Sequence, residues 1–134
     1  ITWLEEPFYS DAFFEYSELF KKTNLPLAGG ESCHSIESAK NMIRCGKVKF
    51  IQIDAGIAGG IIAGKEICDF AEKSEVQYVN HTFTSHLQLS ASLQPYANSL
   101  CPQLEVHLHK SQTASCAGVA PELLLIPVTE WAHG

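Results

Sequence analysis

The stretch Trp3-Leu4-Glu5-Glu6-Pro7 begins the pattern that decides the fold, because a short apolar run ends there abruptly in an acid. Later apolar runs end in polar residues in the same way, at intervals of roughly 25 residues, which is the length of a repeated supersecondary unit. The polar residues at the ends of the runs are Glu5, Glu31, Asp54, His81 and Glu105. Helical patterns separate the runs, so the sequence predicts strand–helix units repeated in tandem.

The predicted strands bring these five ionisable side chains together. Strands joined by helices are parallel, so their carboxyl ends lie at one edge of the sheet, where parallel α/β proteins place their chemistry. Four of the five are carboxylates, which repel one another unless a cation lies among them or some are protonated. The pattern therefore favours a metal site.

Composition narrows the class of protein further. A chain of 134 residues with a formal net charge of −6 has the size of one domain and is a poor match for a nucleic-acid partner. The five cysteines are odd in number and form no C-x-x-C pair, which predicts free thiols and a cytoplasmic protein. We find no signal peptide and no apolar run of membrane length, so we expect no membrane partner. The chain opens inside a predicted strand without a Met, which suggests a portion of a longer protein.

Helix boundaries are predicted from capping residues and from Gly and Pro. Ser10 is the expected cap of a helix over about residues 11–22, and Ser35 of a helix that ends at Arg44. Further helices are expected over about 61–73 and 85–97, with Pro95 bending or ending the last one. The glycine-rich segment 56–60 is not followed by Lys-Ser/Thr, so we interpret it as close helix–strand packing rather than a phosphate loop.

Two α/β architectures fit this pattern. An eight-stranded barrel typically needs about 250 residues, so the chain would supply just over half of one. An open, doubly wound sheet of five strands would fill the same length.

Five motifs carry a family resemblance, and each ends a predicted strand or follows one. They are Trp-Leu-Glu-Glu-Pro at 3–7, Ala-Gly-Gly-Glu-Ser at 28–32, Gln-Ile-Asp at 52–54 with Gly-Gly-Ile at 59–61, Asn-His-Thr at 80–82, and Leu-Glu at 104–105. In this order and spacing they resemble the C-terminal half of the barrel of the enolase superfamily, in the branch of mandelate racemase and muconate lactonizing enzyme. The resemblance implies a partial (β/α) barrel, roughly strands four to eight, over residues 1–109. Residues 110–134 would form a tail of uncertain structure.

The resemblance also implies a role for each strand-end residue. Glu5 and Glu31 are similar to two ligands of Mg²⁺. Asp54 and His81 are similar to an Asp–His dyad in which the imidazole is the general base. Glu105 is similar to the acid that hydrogen-bonds the substrate carboxylate on the side away from the metal. Taken alone, Glu5 could be a surface acid, Asp54 a turn cap and His81 a satisfied buried imidazole.

Several parts of such an enzyme do not occur in this sequence. The family's third metal ligand, its lysine motif on the second strand and its N-terminal capping domain have no counterpart here. We therefore expect that one copy of this chain does not assemble a complete active site and is inactive alone.

The expected parent reaction is magnesium-dependent abstraction of the proton α to the carboxylate of a small acid. The resemblance favours dehydration of an acid sugar over racemisation or epimerisation, because the Asp–His dyad occurs in such dehydratases. A one-base dehydration needs only His81, whereas 1,1-proton transfer needs a second base. The alternative is a truncated, non-catalytic α/β module that self-associates. In either case we expect a homo-oligomer, because an unclosed sheet leaves strand edges open.

Overall fold

The computed structural model describes residues 2–82 and 85–98, and within them strands and helices alternate. In chain order the elements are β1 Leu4–Glu5, α1 Phe13–Thr23, β2 Leu27–Gly29, α2 Ile36–Arg44, β3 Phe50–Asp54, α3 Ala55–Ala58, α4 Ile61–Lys73, β4 Gln77–His81, α5 His86–Leu93 and a 3₁₀ helix Gln94–Asn98. The predicted strand at Glu105 and the tail lie outside the described residues.

The strands form one parallel sheet in the order β1-β2-β3-β4. Each strand pairs with the next one in sequence, as in a (β/α) barrel. A doubly wound sheet reverses its strand order near the middle, and the described sheet does not. The α/β prediction is confirmed, and between the two architectures the sequential order favours the partial barrel.

Strand pairing sorts the side chains onto two faces of the sheet. Successive side chains of a strand alternate between the faces, and paired residues share a face. Ile51, Ile53 and Tyr78 lie on the face covered by helices and are fully buried. Ala28 pairs with both Glu5 and Phe50, and Asp54 pairs with His81, so Glu5, Asp54 and His81 lie on the opposite face. In a closed (β/α) barrel this second face lines the interior.

Helix starts agree with the sequence for α2 and α5. Ser35 is the N-cap predicted for α2, and its hydroxyl accepts a hydrogen bond from the Ser38 amide. The helix expected from residue 85 begins at His86, and Ser85, which was not predicted as a cap, accepts a hydrogen bond from the Gln88 amide. The prediction for Ser10 is wrong, because α1 begins at Phe13 and its N-cap residue makes no side-chain hydrogen bond.

Pro95 ends α5 without ending helical structure, because the chain continues from Leu93 into the 3₁₀ helix. Within the described part of the chain, no helix is long and apolar enough to cross a membrane.

Candidate active site

Three of the sequence-predicted residues meet at the carboxyl end of the sheet. Asp54 and His81 are the last residues of β3 and β4, and they pair in register. His81 Nδ1 lies 3.4 Å from Asp54 Oδ2, and His81 Nε2 lies 3.3 Å from Glu31 Oε2. The imidazole is thus placed between two carboxylates, one on each ring nitrogen.

Asp54 is held by groups on three sides. Its side chain is fully buried, and Oδ1 accepts hydrogen bonds from the Gly56 amide at 2.8 Å and from Gln88 Nε2. Burial would raise the pKa of Asp54, but the contacts with His81, Gln88 and the Gly56 amide outweigh burial and lower it. The carboxylate therefore stays ionised beside the imidazole.

The His81 ring is biased towards binding a proton. Its contact with Asp54 raises the pKa, burial opposes that shift, and the charges of Glu31 and Glu5 add to it. About a quarter of the side chain remains exposed, with Nδ1 facing Asp54 and Nε2 facing Glu31. A carboxylate on one ring nitrogen fixes the orientation of the imidazole, an arrangement that general acid–base catalysis uses.

Glu5 is on the same face of the sheet but makes a different contact. Its Oε2 accepts a hydrogen bond of 2.9 Å from the indole of Trp3. The other predicted acid, Glu105, lies outside the described residues, so its role stays a prediction.

Glu6 was missed by the sequence reasoning, although it fixes the loop that carries Glu31. Its Oε1 accepts a hydrogen bond of 2.7 Å from the Gly30 amide, and its own amide donates to the Ala28 carbonyl at 3.0 Å. Glu6 has a φ of 39°, which is uncommon for a residue with a side chain. Burial raises its pKa, the Gly30 amide lowers it, and the charges of Glu31 and Glu5 raise it. Both predicted metal ligands therefore lie close to Glu6.

The turn before Glu31 requires glycine at position 30. Gly30 has a φ of 116°, and a Cβ there would lie 2.6 Å from Ile51 Cδ1. The Ala-Gly-Gly-Glu motif is therefore explained by backbone geometry: β2 ends, turns sharply and delivers Glu31 towards His81.

The donor chemistry at the strand ends fits Mg²⁺. Glu5 and Glu31 supply carboxylate oxygens, the ligands that this ion prefers, and the Glu31 side chain is about one-third exposed. Among residues 2–82 and 85–98, no cluster of three His, Cys, Asp or Glu side chains is arranged to hold a metal. Glu5 and Glu31 therefore offer carboxylate oxygens at two neighbouring strands, and further ligands would be needed to hold the ion.

A cavity lies beside the strand-end residues and is not lined by them. It has a volume of about 950 Å³ and is lined by Glu6, by residues 7–12 and by Glu15, Ser32, His34 and Ser38. Glu5, Glu31, Asp54 and His81 are not among its lining residues. The predicted site residues that contact one another thus lie at the strand ends and not in this cavity.

The comparison with known proteins agrees with this architecture. The family model described as "Enolase C-terminal domain-like" matches residues 1–123. The chain is 32% identical over 90 residues to a D-galactonate dehydratase of Verminephrobacter eiseniae. The aligned residues cover 67% of this chain and 24% of that protein. It is 29% identical over 94 residues to a D-galactarolactone cycloisomerase of Agrobacterium fabrum, covering 70% and 25%.

Solved structures give the same picture. A predicted mandelate racemase from Rhodobacter sphaeroides superposes with a TM-score of 0.67 at 44% identity, over 72% of this chain and 25% of that one. An L-talarate/galactarate dehydratase variant, liganded with Mg and L-glucarate, superposes with a TM-score of 0.59 at 30% identity, over 69% and 24%. The chain thus spans about a quarter of the length of these proteins. By its matched residues and its fold, the chain belongs to the enolase superfamily, as part of the barrel domain that resembles those of the mandelate racemase group.

Proposed function

We propose that this chain supplies part of the active site of an enzyme that removes the proton α to the carboxylate of an acid sugar. The observation that carries the proposal is the contact series from Asp54 through His81 to Glu31, built at the ends of consecutive parallel strands. A base held between a buried carboxylate and a metal-ligand candidate is what this reaction needs, because an α-proton is weakly acidic. The names of the relatives, a dehydratase and a cycloisomerase of sugar acids, support the substrate class.

Each residue has a defined part in the proposed reaction. His81 Nε2 takes the proton, while Asp54 holds Nδ1 and stabilises the positive ring that results. Glu5 and Glu31 would hold Mg²⁺, which when bound neutralises the negative charge that develops on the substrate carboxylate. Glu105 is proposed to hydrogen-bond the substrate carboxylate from the other side.

Dehydration remains our preferred reaction. Only one candidate base, His81, lies at the described strand ends, and elimination requires one base whereas 1,1-proton transfer requires two. The D-galactonate dehydratase relative supports this choice, and the cycloisomerase relative makes intramolecular rearrangement the main competitor.

The test is solvent exchange with the full-length polypeptide that carries this chain. Incubation in D₂O with a panel of six-carbon aldonic and aldaric acids and Mg²⁺ should give deuterium at the α-carbon or a dehydrated keto acid, both read by NMR and mass spectrometry. Chelation of the metal by EDTA should stop the reaction, and added Mg²⁺ should restore it. A folded protein that neither exchanges nor eliminates any acid of the panel contradicts the proposal.

The non-catalytic alternative is favoured by the exposed apolar side chains of the chain. Phe14 is 73% exposed, Ile62 84% and Leu87 82%, and β1 and β4 are the edges of the described sheet. Exposed apolar surface and open strand edges promote association. We therefore expect the 134-residue chain to be an oligomer or an aggregate, and inactive, in analytical ultracentrifugation and the exchange assay. A stable monomer of 14.7 kDa would contradict this expectation.

We propose that the protein is cytoplasmic, on the evidence of its cysteines. Among the described residues, Cys33 and Cys45 are free thiols. Free thiols are typical of a reducing compartment, which supports the cytoplasm.

A further inference from the structure

Gln88 contacts the dyad from a helix that the sequence did not connect with it. It lies in the first turn of α5, and its side-chain Nε2 donates a hydrogen bond to Asp54 Oδ1 across 34 residues of sequence. The Gly56 amide donates to the same oxygen at 2.8 Å, and the other oxygen, Oδ2, faces His81 Nδ1. The two oxygens of Asp54 are therefore divided between the scaffold and the imidazole.

Gly56 provides the space that the Gln88 amide occupies. A Cβ at this position would lie 2.6 Å from Gln88 Nε2 and 2.8 Å from Cδ, well inside contact distance. Gly56 lies within the four-residue helix α3, and in a helix interior glycine is less favourable than alanine. Glycine occurs here despite its low helix propensity because the side-chain amide of Gln88 packs closely against position 56.

The chemistry of the amide suits this position. Asp54 is fully buried, and a buried carboxylate needs donors for both oxygens. A neutral NH₂ group supplies a donor without adding a positive charge that would compete with the imidazole for the carboxylate. It fixes the rotation of the carboxylate, and that rotation decides whether Oδ2 points at Nδ1.

We propose that Gln88 is a positioning residue for the dyad: with the Gly56 amide it clamps Asp54 Oδ1, so that Oδ2 holds the His81 ring with Nε2 turned towards the substrate. This assignment deepens the proposed function and rests on it for its kinetic consequence. The position of the Asp54 carboxylate can be tested by crystallography, without an activity assay.

The first experiment replaces Gln88 by Met in the full-length polypeptide that carries the chain. Met keeps the length of the side chain but cannot donate a hydrogen bond. We expect kcat for α-proton exchange to fall by about 10- to 100-fold, the range for loss of a group that orients a catalytic residue, with KM changed less than about threefold. In a crystal structure of the variant, the Asp54 carboxylate should be rotated and its contact with Nδ1 lost.

Gln94→Met is the matched control. Gln94 is a buried glutamine of the neighbouring 3₁₀ helix, and its Nε2 donates to the Ser90 carbonyl at 3.2 Å. The Gln94→Met variant also loses a hydrogen bond donated by a glutamine side chain, here to a backbone carbonyl. Its kcat should stay within about twofold of wild type. An equal loss of kcat in both variants would mean general destabilisation and would overturn the proposal.

Gly56→Ala is the second test, and it keeps Gln88 in the chain. The new methyl group must displace the Gln88 amide, whereas the amide at position 56 that also binds Asp54 is retained. Alanine suits a helix, so the fold is preserved even where Gln88→Met proves insoluble. We expect the same selective loss of kcat and the same rotation of Asp54.

The outcomes separate this inference from the proposed function. An Asp54 carboxylate that stays in place in the crystal structures of Gln88→Met or Gly56→Ala overturns the clamp, whatever the activity. A rotated carboxylate in a polypeptide whose wild type exchanges no acid sugar supports the clamp and rejects the proposed function. Full kcat together with a rotated carboxylate overturns the kinetic role of Gln88.

Discussion

Replacing His81 with Asn is expected to lower α-proton exchange by about 10²- to 10⁴-fold in the full-length polypeptide that carries this chain, because the variant lacks the base that we propose at the end of β4. Asparagine keeps a polar side chain of similar reach, so the contact with Asp54 can persist while proton abstraction is lost. The measurement is the initial rate of deuterium incorporation at the α-carbon in D₂O, with the elimination product followed in parallel.

The control for this prediction is His34→Asn. His34 is exposed and lines the large cavity beside the site, so its loss should leave the exchange rate near that of wild type. If His81→Asn exchanges at the normal rate, the proton leaves to another base, and the assignment of the dyad fails.

Asp54→Asn tests whether Asp54 and His81 act together in proton exchange. An amide at position 54 cannot act as the paired charge for the ring, so exchange should fall here too. Because the two residues act as one unit, the double variant should be little slower than His81→Asn alone. Losses that multiply would show that Asp54 and His81 contribute independently, against the contact between them.

Strand-end residues were predictable because parallel strands impose a simple rule. The chain repeats an apolar run that ends in a polar residue, and parallel pairing places all such ends at one edge. Asp54 and His81 meet for that reason, and Glu31 joins them because Gly30 allows the turn before it. The cap at Ser35 was equally predictable, because an N-cap hydrogen bond involves only residues within one helical turn.

Gln88 and Glu6 were not predictable, because their partners are distant in sequence. Ser85 and Gln88 fit the pattern of a capping box, in which the glutamine serves its own helix. In the structure its amide donates to Asp54 on another element, and only the fold reveals that partner. Glu6 follows Glu5 directly and would alternate away from it in an ideal strand, but its positive φ turns it towards the Gly30 amide.

The segment after Asp54 shows why glycine-rich stretches are hard to interpret. The segment 56–60 was interpreted as close helix–strand packing, and the structure has the short helix α3 and then a turn with left-handed glycines at 59 and 60. Asp54 is the N-cap of α3, as the turn-cap interpretation has it, and its other oxygen faces His81, so the cap does not exclude the proposed dyad. One carboxylate with two oxygens can do both.

Glu31→Gln is expected to lower magnesium-dependent turnover in the full-length polypeptide by at least about 10²-fold, because the amide removes one of the two anionic ligands that we propose at the strand ends. Glutamine preserves size and the backbone turn at Gly30, so the fold should be unchanged. Isothermal titration with Mg²⁺ gives the binding constant directly, and the exchange assay at increasing Mg²⁺ gives its functional counterpart. Both should show a metal affinity far below that of wild type.

Glu37→Gln is the matched control on α2. Glu37 is an exposed acid whose ion pair with Lys40 spans 3.5 Å at the surface, so its neutralisation should change neither turnover nor magnesium affinity. The two candidate roles of Glu31 also separate in this experiment. Loss of its contact with His81 alone would slow exchange at unchanged magnesium affinity, whereas loss of a metal ligand lowers both. Full activity of Glu31→Gln at wild-type magnesium dependence would remove Glu31 from the metal site, and the contact at 3.3 Å would then be an ion pair with His81 and no more.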